Sequence, residues 1–212
     1  MKRGPRARTH LQSGAGGFAC QFFMLEYRRR LPHVQPESVY IFVTWRLYGS
    51  LPVCKRTDRY LTPGHAFVAA DRALDRCCSG PRWLEDPRIA GIVTETIQIG
   101  EKERHFYDLD AWAIMPNHVH LLILPHVDLP IIMRWLKGSS ARRANQLLGR
   151  TGQPFWQFES YDHWVRHRKE LDKIGRYIER NPVSAGLVES EELWLWPWSS
   201  AGWQAKPPTP LR

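Results

Sequence analysis

The hydrophobic pattern changes period several times along the chain, and each change marks an element. Val39 to Leu47 (VYIFVTWRL) is a β-branched and aromatic run that predicts a buried strand, ended by Gly49 and Pro52. A helix follows from Thr62-Pro63: Thr62 can cap it, Pro63 suits its first turn, and Phe67, Ala70, Leu74 and Cys78 recur at helical spacing. Pro81 and Pro87 punctuate a connector. Arg88 to Ile99 is a second helical stretch with Ile89, Ile92, Val93, Thr96 and Ile97 on one face. His105 to Met115 and His118 to Leu124 predict two strands joined at Pro116-Asn117, a hairpin. After the loop between Pro125 and Pro130, Ile131 to Leu148 predicts a helix closed by Gly149. Trp164-Val165-Arg166 is expected at the centre of a short strand, and Lys169 to Arg180 forms the last helix, ended by Asn181-Pro182. Residues 183–212 are rich in Trp and Pro and are expected to wrap the surface. The order β–α–(α)–β–β–α–β–α contains a β-α-β-β-α-β core. The fold class expected is therefore α+β and ferredoxin-like: an antiparallel sheet with helices mainly on one face.

Composition narrows the function classes. The 212 residues carry 30 Lys+Arg against 21 Asp+Glu, a formal net charge of +9, and 43% are hydrophobic. A chain of this kind can bury a core, and its charge favours a polyanion such as nucleic acid. No run approaches 18 apolar residues, so no membrane partner is expected. Cys20, Cys54, Cys77 and Cys78 form no C-x-x-C pair, which speaks against a disulfide framework or zinc knuckle and for a reducing, cytoplasmic setting. The basic N-terminus has no apolar core of a secretory signal. Residues 1–26 are expected to be a disordered basic extension, with Met24 an alternative start; residues 27–188 form the domain and 189–212 a tail packing on it.

The densest chemistry is His118-Val119-His120. On a strand, alternate side chains share a face, so the two imidazoles point the same way and can chelate one divalent ion. Taken alone, H-x-H describes ordinary histidines more often than ligands. In the last helix Leu171, Ile174 and Ile178 form the core stripe, with Tyr177 and Asn181 four apart on its flank. A tyrosine there fits the edge of a core, and an asparagine fits a helix C-cap. The functional alternative makes Tyr177 a nucleophilic phenol and Asn181 a hard oxygen ligand of the same metal, which would polarise a scissile phosphodiester. Two neutral imidazoles and an amide leave the ion's charge for phosphate and tolerate Mg²⁺ or Mn²⁺.

Over residues 27–200 the chain resembles the HUH-type single-tyrosine transposases, specifically the REP-associated tyrosine transposases. The resemblance rests on residues 29–33 (RRLPH), 43–46 (VTWR), 49–52 (GSLP), 111–120 (AWAIMPNHVH) and 137–143 (KGSSARR). It continues through 155–157 (FWQ), 161–163 (YDH) and 177–183 (YIERNPV). It implies an HUH endonuclease fold and a metal-dependent endonuclease and strand transferase on single-stranded DNA. The family's tyrosine forms a 5′-phosphotyrosine link and frees a 3′-OH that later rejoins strands. The family's substrates are palindromic repeats that fold into hairpins, beside a short single-stranded guide. No ATP is needed, and the chain has no P-loop, so no nucleotide cofactor is expected. His118 and His120 become metal ligands, with Asn181 the third. Tyr177 is the favoured nucleophile, and Tyr161, expected just before the last strand, is the reserve.

The helix face carrying Arg134, Lys137, Arg142 and Arg143 lacks acids and is expected to meet DNA phosphates, although a solvated charged face also fits. Arg46 could reach DNA or pair with a buried acid. Phe155 and Trp156 fit core packing better than base stacking, and Trp194, Trp196 and Trp198 share one face and read as packing residues. Single-stranded or hairpin DNA is the expected partner, with the protein a monomer or homodimer. The competing functions are a domesticated hairpin-DNA-binding regulator with little or no cleavage, and an RRM-type RNA binder. The latter would need aromatics where the central strand has histidines.

Overall fold

The computed structural model describes residues 39–51, 63–76 and 80–194. The chain divides into Met1–Arg30 and Leu31–Arg212, and all described residues belong to the second unit. The expectations for residues 1–26, the motif at 29–33, Pro52, Thr62, the four cysteines, Trp196 and Trp198 fall outside the described residues.

The elements are β1 (Ile41–Arg46), α1 (Pro63–Arg76), α2 (Pro87–Lys102), β2 (Tyr107–Ile114), β3 (His118–Pro125), α3 (Leu129–Leu147), β4 (Tyr161–Trp164) and α4 (Arg168–Ser184). The strands form one antiparallel sheet in the order β2-β3-β1-β4. With α2 and α3 as crossovers, this is the ferredoxin-like α+β arrangement.

Strand alternation divides the interior in two. Ile41, Val43, Trp45, Val119, Leu121 and Ile123 point to one face, where Ile89, Val93 and Ile97 of α2 and Ile132, Leu136 and Ala144 of α3 cover them. Phe42 and Leu122 point to the other face, against Leu171 and Ile178 of α4 and Phe67 of α1. The sheet is therefore covered on both faces, with α4 and α1 adding a second layer to the one formed by α2 and α3. β2 serves both layers through a bulge at Asp110: the register passes from Leu109↔Ile123 to Ala111↔Leu122. The bulge turns Trp112 and Ile114 to the α2–α3 side and leaves the small Ala111 and Ala113 under α4.

Local chemistry sets the helix ends. Asp86 caps α2 by accepting from the Arg88 backbone N–H, with Pro87 in the first turn. α3 starts two residues earlier than expected, because Pro130 fits its first turn instead of closing the loop before it. Gly149, at φ +64°, follows its end.

Two expectations are corrected. β4 is Tyr161–Trp164, not a strand centred on Val165, because the pairing Thr44↔Tyr161 through Ile41↔Trp164 sets its register. Tyr161 thus lies on the strand instead of before it. α4 does not stop at Asn181-Pro182 but runs to Ser184 with Pro182 inside. Pro182 lies in the last turn, and the helix closes beyond it. The Gly186 N–H donates to the Val183 carbonyl and the Leu187 N–H to the Pro182 carbonyl, with Gly186 at φ +71°. Asn181 is consequently a buried helical residue and not a C-cap.

Phe155 and Trp156 are core residues, as expected; the Trp156 indole N–H donates to Ser140 Oγ at 2.9 Å. No helix among the described residues is long and apolar enough to cross a membrane.

α2 lies against β2 at Gly100. The Tyr107 hydroxyl crosses there to donate to the Ile97 carbonyl at 2.7 Å, and a Cβ on residue 100 would overlap that hydroxyl and press on Trp135. Gly100→Ala is expected to destabilise the protein by roughly 1–3 kcal/mol in equilibrium urea unfolding. An unchanged midpoint would show that this contact is looser than described.

Candidate metal and nucleophile site

His118 and His120 project from β3, the strand paired on both sides, toward the α4 layer. Both are wholly buried. Each ring is oriented from its far nitrogen. His118 Nδ1 donates to Asn117 Oδ1 at 2.7 Å, and Asn117 Nδ2 in turn donates to the Leu74 carbonyl of α1 at 3.0 Å. That arrangement puts the His118 proton on Nδ1 and leaves the Nε2 lone pair facing inward. His120 Nδ1 lies 2.8 Å from Thr44 Oγ1, on the neighbouring strand where the register pairs Thr44 with His120. The two Nε2 atoms converge to 3.0 Å.

Asp71 of α1 closes the site, and the sequence expectations had omitted it. Its Oδ1 lies 3.5 Å from each Nε2 but makes no hydrogen bond, and its side chain is 3% exposed. Its Oδ2 accepts a short hydrogen bond from the Tyr177 hydroxyl and a longer one, 3.4 Å, from Asn181 Nδ2. Asn181 Oδ1 is likewise buried and unpartnered. Asp71, His118 and His120 each offer one atom, all within 4.8 Å of one another, which suits a single divalent cation. The signal for Asp71 was present in the sequence: it is an acid at a core-facing position, four residues after Phe67 and three before Leu74.

Burial dominates the electrostatics. It drives the His118 imidazole well below its ordinary value, with His120 adding to the effect, and lowers His120 to about 3, so both are neutral donors. Burial raises Asp71 to about 7, partly offset by the Asn181 hydrogen bond. Asp75, one turn on, is also raised to about 7, by burial and then by Asp71, partly offset by Arg76. Two bare imidazole nitrogens converging on an orphaned carboxylate oxygen, with an orphaned amide oxygen nearby, fit a metal ion.

The other expected site residues divide. Tyr177 stands against the site, its ring 5.6 Å from that of His120. Tyr161 instead stacks on Phe67, with ring centroids 4.2 Å apart, in the aromatic wall that also includes Phe42. On α3, Arg134 and Arg142 are exposed, while Arg143 pairs with Glu95 of α2. Lys137 does not present its amine to solvent as expected. It donates to the carbonyls of Gln157, Phe158 and Glu159 at 3.1, 2.9 and 3.2 Å, and burial lowers it to about 8. The loop at 157–159 runs close enough to α3 that three carbonyls surround the ammonium in place of water. Arg46 is partly buried, 3.5 Å from Ser50 Oγ, and feels the charge of Glu159.

The family model of the IS200-like transposases matches residues 86–181, the stretch that runs from α2 into α4 and carries both histidines. The chain is also similar to REP-associated tyrosine transposases. A Haemophilus influenzae protein provisionally named as one is 31% identical over 109 residues, 46% of this chain. The chain spans 61% of that relative's length. A solved structure of a REP-associated tyrosine transposase bound to a REP hairpin has the same fold. It aligns with a TM-score of 0.50 and 20% identity, covering 82% of each chain.

The raised Asp71 carboxyl makes stability depend on pH. A carboxyl whose folded value lies near 7 against an unfolded value near 3.8 imposes no cost below the lower value and its full cost above the higher. Asp71→Asn is therefore expected to stabilise the metal-free protein at pH 8 by roughly 1–3 kcal/mol and to have no effect near pH 4. Urea unfolding in excess chelator at both pH values measures this; a pH-independent difference would refute it.

Proposed function

We propose that the chain is a metal-dependent single-tyrosine DNA transposase of the REP-associated type, an endonuclease and strand transferase acting on single-stranded DNA beside a hairpin. The observation that carries this reading is the Tyr177 hydroxyl held on a carboxylate whose other oxygen faces two convergent imidazoles. The matches to IS200-like and REP-associated transposases support it. The working domain is taken as residues 27–188, acting in a reducing cytoplasm.

His118 and His120 hold Mg²⁺ or Mn²⁺, with Asn181 beside them. When bound, the ion polarises the scissile phosphate and offsets charge on its oxygens. The Tyr177 oxygen attacks phosphorus in line. A Tyr177 Oη–P bond forms, the P–O3′ bond breaks, the phenol gives up its proton and the departing 3′ oxygen gains one. The aromatic wall of Phe42, Phe67 and Tyr161 keeps water from the phenol's flank. Reversal by a 3′-OH rejoins strands without an external energy source. Arg134 and Arg142 contact backbone phosphates, and Arg46 lies on the sheet face that carries the histidines. Arg143 and Lys137 contribute less, because their charges already have protein partners.

Incubation with single-stranded hairpin DNA and Mn²⁺, followed by a denaturing gel, is expected to give a covalent protein–DNA band. Tyr177→Phe should abolish it and Tyr161→Phe should keep it; the reverse would move the nucleophile to β4. The double change His118→Ala/His120→Ala should remove cleavage, by at least about a hundredfold, and leave hairpin binding largely intact. Hairpin binding with no adduct under any metal would favour a DNA-binding regulator instead.

A further inference from the structure

We propose that Asp71 is a bridging carboxylate: Oδ1 is an anionic ligand of the ion held by His118 and His120, and Oδ2 fixes the Tyr177 hydroxyl beside it. This rests on the metal-dependent reading above and adds a residue and a coupling to it. Asp71 lies outside residues 86–181, the stretch matched by the family model.

The geometry separates the two oxygens by role. Oδ1 is equidistant, at 3.5 Å, from the two Nε2 atoms and has no hydrogen-bond donor, although it is buried. Oδ2 carries both of the carboxylate's hydrogen bonds, from Tyr177 and from Asn181. Both donors are neutral and the nearby Asp75 is itself an acid, so none of them offsets a charge on the carboxylate, and a buried charge is stable only with a counter-charge. A divalent cation between Oδ1 and the Nε2 pair supplies it. The resulting set of two imidazoles and one carboxylate leaves coordination positions open for phosphate oxygens, and the carboxylate suits the harder ions. Asn181, whose amide N–H reaches Asp71, then acts as a positioning residue for the carboxylate.

A bridge predicts two separable losses. Mn²⁺ affinity of the full chain without DNA, measured by electron paramagnetic resonance of the free ion, should fall at least about tenfold in Asp71→Asn. It should hold within about threefold in Tyr177→Phe, since loss of the phenol leaves Oδ1 in place. Single-turnover adduct formation by Asp71→Asn should also stay at least about tenfold slow when Mn²⁺ is raised to saturation, because occupancy is restored but the placement of Tyr177 is not. Unchanged affinity in Asp71→Asn, with affinity lost in His118→Ala, overturns the ligand role alone. Full adduct rate at saturating Mn²⁺ overturns the bridge. Unchanged affinity in His118→Ala as well removes the metal reading on which the proposal rests. Asp71→Ala carries the same expectations and guards against an effect peculiar to the amide, and circular dichroism of each variant establishes that it is folded.

Discussion

β3 is hydrogen-bonded on both edges, to β1 and to β2, and the site depends on that double pairing. A strand held on both sides cannot slip by one residue without reversing every side chain it carries. Here such a slip would exchange His118 and His120 for Val119 and Leu121, moving imidazoles into the layer under α2 and α3. The apolar residues that lock the register are thus also what aims the two imidazoles. β1 adds Thr44 behind His120, so the strand that fixes the position of the histidine also fixes the orientation of its ring.

The second layer gives the site its electrical character. Helices α4 and α1 exclude water from a group containing two imidazoles, an amide, a phenol and a carboxylate. In that environment the imidazoles stay neutral and keep their lone pairs, while burial works against the charge on the carboxylate. Small residues permit the close approach: Ala111 and Ala113 on β2 lie opposite α4, and Gly175 is buried on the helix itself. The bulge at Asp110 is what places those two alanines on this side.

Much of this was legible in the sequence because it follows from periodicity. Alternation on His118-Val119-His120 put both imidazoles on one face, and four-residue spacing put Tyr177 and Asn181 together; both relations hold in the structure. The elements that went astray did so where tertiary pairing overrides local signals. The extended stretch around Val165 reads as a strand, but the register with β1 selects Tyr161–Trp164. Pro182 reads as a stop, yet it falls in a last turn that Gly186, four residues on, can close. Lys137 looks like one charge in a basic stripe until the loop at 157–159 folds back over its amine. Asp71 was hardest to see, because its partners lie far along the chain, Tyr177 being 106 residues away. Only its intrusion among the apolar positions of α1 hinted at the role.

α1 stands apart from the β-α-β-β-α-β core, inserted between β1 and α2, yet it supplies Asp71 and the Leu74 carbonyl that holds Asn117. The scaffold and the chemistry are therefore carried by different parts of the chain. Substitutions on this one helix alter the charge beside the imidazoles and the grip on the phenol, while the strand pairings are made by other residues. A single helix of 14 residues becomes the place where such a protein can be retuned.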